Sequence, residues 1–371
     1  MTTRVRVPFI DLVRDRAFLA MAGAIFVVAV LTGLVGGTIL GRIVIVLFIN
    51  LIIVLGLQIF TGNSGLLSFA HIGFMGIGAY VSAILTMTPA AKGFAIPNLY
   101  PFLVDVQVPF IVALLIGALV GGLVAAVISF PIMRLSDVAS VISTFALLVI
   151  VHVVLAHWSE LTNGPRTVFG LSPETDLPTA TVWALVFLAI AWWFKHSALG
   201  LKLRASRDSE HAAATIGVDI VRVRWIAFTI SAFVCAFAGG LWAHFITSFA
   251  PSAFYLQQTF VVLTMLIVGG PRTVSGAVIG TFVVTFAFEA LRAIENQINL
   301  DKLLPFQLVG LTGISLAIAL IVVLAVRPGG LVEERELLSG SGAPGGDPSG
   351  DGGTTPTADR PAAEAAGEVG T

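Results

Sequence analysis

The 371-residue chain has little charge and almost no cysteine. Only 11% of its residues are charged, against about a quarter in soluble domains, whereas 57% are hydrophobic. This shortage of charge excludes an ordinary water-soluble globule. The single cysteine, Cys235, excludes an intrachain disulfide or a multi-cysteine metal site, and its place in an apolar run predicts a small packing residue. The net charge of -1 gives no reason to expect nucleic-acid binding.

Two features that would supply energy for transport are also missing. The sequence has no G-x-x-x-x-G-K-[ST] phosphate-binding loop, so the chain does not hydrolyse ATP by that route. Few ionisable residues lie within the apolar segments, mainly His71 and Glu289, and no series of carboxylates indicates an ion relay. We therefore expect no catalytic site and no bound cofactor or metal. If the chain takes part in active transport, the energy would therefore come from another polypeptide. An ion-coupled secondary carrier or a channel, which needs no such partner, is the alternative from a different class of protein.

Long apolar segments make up most of the chain. A helix needs about 20 apolar residues to cross ~30 Å of hydrocarbon. Ten segments reach or approach this length, at 17–40, 43–60, 66–88, 108–133, 138–157, 180–194, 225–248, 256–270, 273–292 and 308–326. The sequence therefore predicts an all-α, polytopic helical membrane protein with about ten membrane segments, some of them short or re-entrant.

The distribution of basic residues predicts the topology. If Met1 is cytoplasmic and the chain crosses ten times, all but five of the twenty Lys and Arg residues fall on the inner side. We therefore expect both termini in the cytoplasm, with a basic N-terminal segment at 1–16 and a transmembrane domain at 17–327. Residues 328–371 are rich in Gly, Pro, Ala and Ser, which predicts a disordered cytoplasmic tail.

A polar block at 195–224, which we call the basic loop, interrupts the apolar sequence. Alanines at 212–214 favour a helix that Asp208 or Ser209 caps at its start and Gly217 ends. A helix of about ten residues is too short to cross a bilayer, so we expect it at the membrane surface. There it would meet a cytoplasmic partner, although a solvated loop obeying the positive-inside rule is the simpler alternative.

Two further stretches carry candidate functional residues. Segment 62–80 mixes glycines with polar residues, and its candidates for a transport pathway or for helix packing are Ser68, His71, Gly73, Gly76 and Gly78. His71 is either a pathway residue or a neutral imidazole bonded to a neighbouring helix. Loop 158–170 lies outside in this topology, and its candidates for contact with an external partner are Glu160, Asn163 and Arg166. Solvated charges are the alternative for Glu160 and Arg166. The inner turn at 268–280 is a further possible partner contact.

Taken together, these motifs resemble the permease subunits of branched-chain amino-acid ABC importers, most closely the LivM type. The resemblance runs from about Val44 to Gly330 and is carried by GLLSFAHIGFMGIGAY at 65–80, LTNGP at 161–165, SAFVCAFAGGLWA at 231–243 and LIVGGPRTVSGAVIG at 266–280. It implies a multi-pass subunit of a bacterial or archaeal plasma membrane. The implied partners are a second, LivH-like permease, two cytoplasmic ATPases that use ATP, and an extracytoplasmic substrate-binding protein. Related permeases for urea, short amides or other amino acids are an alternative.

The resemblance also implies which residues receive the ATPase. The coupling pattern Glu-Ala-Ala-x-x-x-Gly of ABC importers falls on His211, Ala212, Ala213 and Gly217. His211 stands where the pattern has its acidic residue, and Glu210 lies one place earlier. The basic loop is thus implied to be the ATPase-coupling loop.

Overall fold

A computed structural model of the chain describes residues 15–300, 310, 313–314, 318, 321 and 329–332. This part of the chain is mostly helical and contains no β-strand beyond one isolated antiparallel bridge between Val168 and Phe249. The prediction of an all-α protein is therefore confirmed. The predicted basic segment at 1–16 and the tenth membrane segment lie largely outside the described residues, as does the predicted tail from residue 333 onwards.

The first half of the described chain forms helices of very different length. They are α1 Arg16–Val35, α2 Thr38–Leu57, α3 His71–Thr86, α4 Pro89–Ala95, α5 Pro101–Val104, α6 Phe110–Ile132, α7 Asp137–His157 and α8 Ser159–Thr162. A single π-helical turn, Gln58–Gly62, continues α2. The second half contains α9 Leu177–His196, α10 Ala198–Asp208, α11 Glu210–Thr215, α12 Ile220–Ile246, α13 Leu256–Gly269 and α14 Val274–Leu300.

Eight of these helices, counted with their adjoining turns, are long and apolar enough to cross a membrane. They are Arg16–Val35, Thr38–Gly62, Phe110–Ile132, Asp137–His157, Leu177–His196, Ile220–Ile246, Pro251–Gly269 and Val274–Asn299. A polytopic helical membrane protein is thus confirmed. The predicted third segment is instead the 16-residue α3, about 24 Å long, because the chain before His71 is not helical. The number of crossings and the side of each terminus remain predictions.

Helix α12 lies at the centre of the bundle and packs against α2, α3 and α6. Close approach requires glycine on both sides of the α3–α12 contact. A methyl group at Gly78 would collide with the Ala236 carbonyl oxygen, and one at Gly239 would collide with that of Met75. Cys235 is fully buried here and its thiol donates to the Ile53 carbonyl at 3.6 Å, as expected of a packing residue.

A buried lysine organises the loop that follows α3, at the end of the bundle opposite the basic loop. The Lys92 side chain is fully buried, and its Nζ donates to the carbonyls of Leu103 at 2.8 Å, Val104 at 3.3 Å and Val106. These carbonyls lie at the end of α5, where a cation is favoured. Burial lowers the pKa of Lys92 from its ordinary value, and the Asp105 carboxylate partly raises it.

Candidate functional site: the basic loop and the helix break

The basic loop folds into two helices, and its second helix, α11, has well-formed caps at both ends. The Ser209 hydroxyl accepts a hydrogen bond from Ala212 N at 3.3 Å, so Ser209 is the N-cap. At the other end Gly217 N donates to Ala214 O at 3.0 Å, and Val218 N donates to Ala213 O at 3.0 Å. This pair of bonds is a Schellman motif. It requires a left-handed residue, and Gly217 has φ +82°.

The caps orient α11 so that one side packs on the protein and the other faces outwards. Ala213 is 2% exposed and fixes the inner side. His211, Ala212, Gly217 and the large apolar Ile216, which is 76% exposed, lie on the outer side. A capped helix that presents alanines and an unburied isoleucine is suited to dock against another protein surface.

Glu210, one residue before His211, is held by an internal arginine. Arg224, on the first turns of α12, is 4% exposed, and its Nη2 contacts the Glu210 carboxylate. The same Nη2 lies 3.2 Å from Asp137 Oδ1, at the first residue of α7. One buried guanidinium therefore joins the starts of α11, α7 and α12.

A second arginine attaches the basic loop to segment 58–70, which we call the helix break. Arg207, near the end of α10, donates from Nη1 to the Gly62 carbonyl at 3.1 Å and pairs with Asp208 at 3.1 Å. Its methylene groups cover Gly65, where a methyl group would lie 2.7 Å from the Arg207 side chain. Gly65 has φ +77° and turns the chain away from the π-helical turn.

The inner turn after α13 meets the helix break from another side. A methyl group at Gly62 would collide with the Pro271 carbonyl oxygen, and Lys195 Nζ lies 3.5 Å from Arg272 O. Residues 331 and 332 donate their backbone N–H groups to the carbonyls of Val268 and Gly269. Three stretches that the sequence singles out separately, 62–80, 195–224 and 268–280, therefore meet at one end of the bundle.

Buried polar side chains are concentrated in and just after the helix break. Seven side-chain polar atoms here are buried without a hydrogen-bond partner, and they belong to Gln58, Thr61, Asn63, Ser68 and His71. The His71 ring lies among phenylalanines, 4.9 Å from Phe228 and 6.0 Å from Phe60 between ring centroids. Buried polar groups normally have hydrogen-bond partners, so this concentration of polar side chains is unusual for the interior of an apolar helix bundle.

The glycines of α3 have close neighbours, and helix packing is the role that their contacts support. Methyl groups at Gly73 and Gly76 would lie 3.2 Å from Val151 and 2.9 Å from Leu155, both on α7. Gly78 faces the backbone of α12 in the same way. These contacts press α3 against α7 and α12 immediately beyond the helix break.

The outer candidates lie on a loop that is tied to the end of the bundle. Glu160 and Arg166 are exposed, and Asn163 has a left-handed backbone with φ 63° at the end of α8. The Thr162 hydroxyl secures this turn by donating to Leu155 O at 2.6 Å. The fixed turn leaves both charged side chains available to a partner.

A metal centre has no support in the described part of the chain. No group of three or more His, Cys, Asp or Glu side chains there is placed to hold an ion.

Most of the chain, including the helix break and the basic loop, matches a known protein family. A family described as "Branched-chain amino acid transport system / permease component" matches residues 39–324. The chain belongs to this permease family. The match covers the helix break, the basic loop and the inner turn, so all three lie in the part that is common to the family.

Individual relatives of this permease are distant. The chain is 25% identical over 280 residues to the high-affinity branched-chain amino acid transport permease LivM of Salmonella typhimurium, covering 66% of this chain and 61% of LivM. LivM of Escherichia coli is 25% identical over 278 residues, with the same shares. LivH of Escherichia coli is 24% identical over 304 residues, covering 77% of this chain and 92% of LivH. The chain thus spans about three fifths of the LivM relatives, and no solved structure matches it.

Four residues of the permease site were missed by sequence reasoning. Arg207 and Arg224 are two of several basic residues in the basic loop, and the local sequence does not distinguish them or Asp137 from other charged residues. Ile216 is one of several large apolar residues in the basic loop, and the sequence does not indicate that it is exposed. The partners of the two arginines lie far away along the chain, and no local spacing indicates them.

Proposed function

We propose that this permease is a subunit of an ABC importer for branched-chain amino acids in the plasma membrane, and that it forms the translocation pathway with a second, LivH-like permease. The family match over residues 39–324 is the observation that carries the proposal. Branched-chain amino acids are the leading substrate class because LivM and LivH relatives are described as transporting them.

Two cytoplasmic ATPases would supply the energy, one of them through α11 of this chain. The caps at Ser209 and Gly217 hold α11 in place, and its outer side offers Ile216 to a protein surface. An extracytoplasmic substrate-binding protein would deliver the amino acid at the opposite end, where Glu160 and Arg166 are exposed. In this arrangement the permease itself binds no ATP and performs no covalent chemistry.

Transport would follow from alternation between two conformations. ATP draws the two ATPases together, and α11 moves with the ATPase that it contacts. The helix break contacts the basic loop through Arg207, and its π-helical turn and the left-handed Gly65 interrupt the regular helix there. Rearrangement of the break and of the packed start of α3 would change access to the pathway from one side to the other.

Purification and reconstitution test this proposal. The tagged chain is isolated with its bound subunits, reconstituted in proteoliposomes with the binding protein, and supplied with ATP and radiolabelled leucine. We expect ATP-dependent uptake that unlabelled valine and isoleucine reduce and urea and short amides do not. Competition by urea or amides instead would change the substrate class, and uptake without ATP that follows an ion gradient would reject the importer in favour of a secondary carrier.

A further inference from the structure

Arg224 links the basic loop to α7 through a buried guanidinium that contacts two partly exposed carboxylates. Its side chain is 5% exposed, whereas the Glu210 and Asp137 side chains are 46% and 58% exposed. The guanidinium is therefore the inner member of the group, and a single nitrogen contacts both carboxylates. Removing the arginine would remove the cation that both carboxylates contact, so α11 would lose its ion-paired link to the start of α7.

Helix α7 carries this link directly to the start of α3. The Thr144 hydroxyl accepts a hydrogen bond from Phe69 N at 3.4 Å, in the last residues of the helix break. One and two turns beyond the break, Gly73 and Gly76 bring α3 against α7 so closely that a methyl group would press on Val151 or Leu155. Interfaces packed this closely move as units rather than deforming.

Arg207 connects the same loop to the other end of the helix break. It donates to the last carbonyl of the π-helical turn, Gly62, and covers Gly65 where the chain changes direction. The basic loop is therefore linked to the helix break at two places. Arg207 contacts the start of the break directly, and Arg224 reaches its end through α7.

We infer that Arg207 and Arg224 are positioning residues that transmit movement of α11 to the helix break, Arg207 directly and Arg224 through the Glu210–Arg224–Asp137 group. This inference rests on the proposed function, since it assigns the internal route by which an ATPase would act on the pathway. The group couples elements through a contiguous set of contacts and needs no direct contact with the ATPase or the substrate.

The test compares uptake with ATP hydrolysis in the reconstituted importer. Arg224→Gln should leave subunit assembly and ATP hydrolysis intact while the leucine imported per ATP hydrolysed falls at least tenfold. Arg222→Gln is the matched control, because Arg222 lies on the same turn of α12 and is exposed. The conservative variant Arg224→Lys keeps a positive charge between the two carboxylates and should retain most of the ratio. Unchanged subunit assembly and ATP hydrolysis in Arg224→Gln separate a loss of coupling from a loss of folding.

Further variants make the result decisive. If Arg224→Gln lowers the yield of folded protein, Asp137→Asn and Arg207→Gln replace it in the test, because both side chains are more exposed than that of Arg224. Each should lower the amount of leucine imported per ATP hydrolysed. A ratio equal to that of Arg222→Gln in all of these variants would overturn the inference while leaving the proposed function in place. Absence of ATP-dependent uptake by the wild-type assembly would overturn the proposed function, and the inference with it.

Discussion

Replacing Gly217 by valine should weaken the association of this permease with its ATPase without disturbing the membrane bundle. Gly217 ends α11 in the left-handed conformation, with φ +82°, and supports the two backbone bonds of the Schellman motif. Nothing lies within 4 Å of the position that a Cβ would take. A Cβ at this exposed position therefore meets no neighbouring atom, and we expect the main effect of the substitution on the backbone of the loop.

The expected size follows from this geometry. A residue with a Cβ is disfavoured in the left-handed region by about 1–2 kcal/mol, and a β-branched residue lies at the upper end. Escaping the strain by leaving that region loses two backbone bonds, worth about 0.5–1.5 kcal/mol each. The cheaper route sets the cost, so the docked form of α11 is disfavoured by roughly 1–2 kcal/mol, which corresponds to a ~5- to 30-fold loss of affinity.

The assay is a titration of the detergent-solubilised permease with the ATPase subunit that co-purifies with it. Asparagine tolerates the left-handed region, so Gly217→Asn should retain most of the affinity and serves as the matched control. Thermal unfolding of the permease alone should be unchanged in both variants. Wild-type affinity in Gly217→Val, or an equal loss in Gly217→Asn, would refute the assigned role of this turn.

Three further predictions address the outer side of α11, the packing of α3 against α12 and the loop that follows α3. Ile216→Glu should reduce ATPase recovery at least tenfold, because a charge replaces the exposed apolar side chain at the docking surface, whereas Ile216→Leu should not. Gly78→Ala should destabilise the bundle by about 1–3 kcal/mol through collision with α12, lowering the midpoint of thermal unfolding, whereas Gly23→Ala, which meets open space, should not. Lys92→Met should leave three buried carbonyls without their donor, so limited proteolysis should cut the loop after α3 faster.

Each of these has an outcome that contradicts it. ATPase recovery that is the same for Ile216→Glu and Ile216→Leu would remove Ile216 from the docking surface. Equal unfolding midpoints for Gly78→Ala and Gly23→Ala would show that α3 and α12 are less closely packed than described. Wild-type proteolysis of Lys92→Met would mean that the loop does not depend on the buried ammonium group.

Local chemistry made part of this site predictable from the sequence. Ser209 and Gly217 are residue types that cap helices, and both take the capping roles expected of them. The glycines of segment 62–80 indicated an unusual membrane helix, and the structure places a break there. The start of α3 was predicted five residues too early, because a hydropathy window counts apolar side chains and does not detect that Gly65 redirects the backbone.

Tertiary contacts explain what the sequence did not reveal. In the sequence, Arg224 is one of several positive charges in the basic loop. In the structure it is buried between the starts of α7 and α11, where it is the centre of an ion-paired group. Hydropathy placed the end of the sixth segment at 194, whereas α9 continues to His196. The extension is possible because Lys195 is buried and reaches the inner turn, which removes its charge from the lipid.

The most direct test of the central claim is site-specific photo-crosslinking from α11 in native membranes. A benzophenone amino acid is introduced at Ile216, and in a second variant at Val182, which is 56% exposed on the membrane-spanning helix α9. The account predicts an adduct from position 216 that contains an ATPase subunit, identified by mass spectrometry, and no such adduct from position 182. An ATPase that co-purifies with the permease but never crosslinks to position 216 would contradict the assignment of α11 as its docking site.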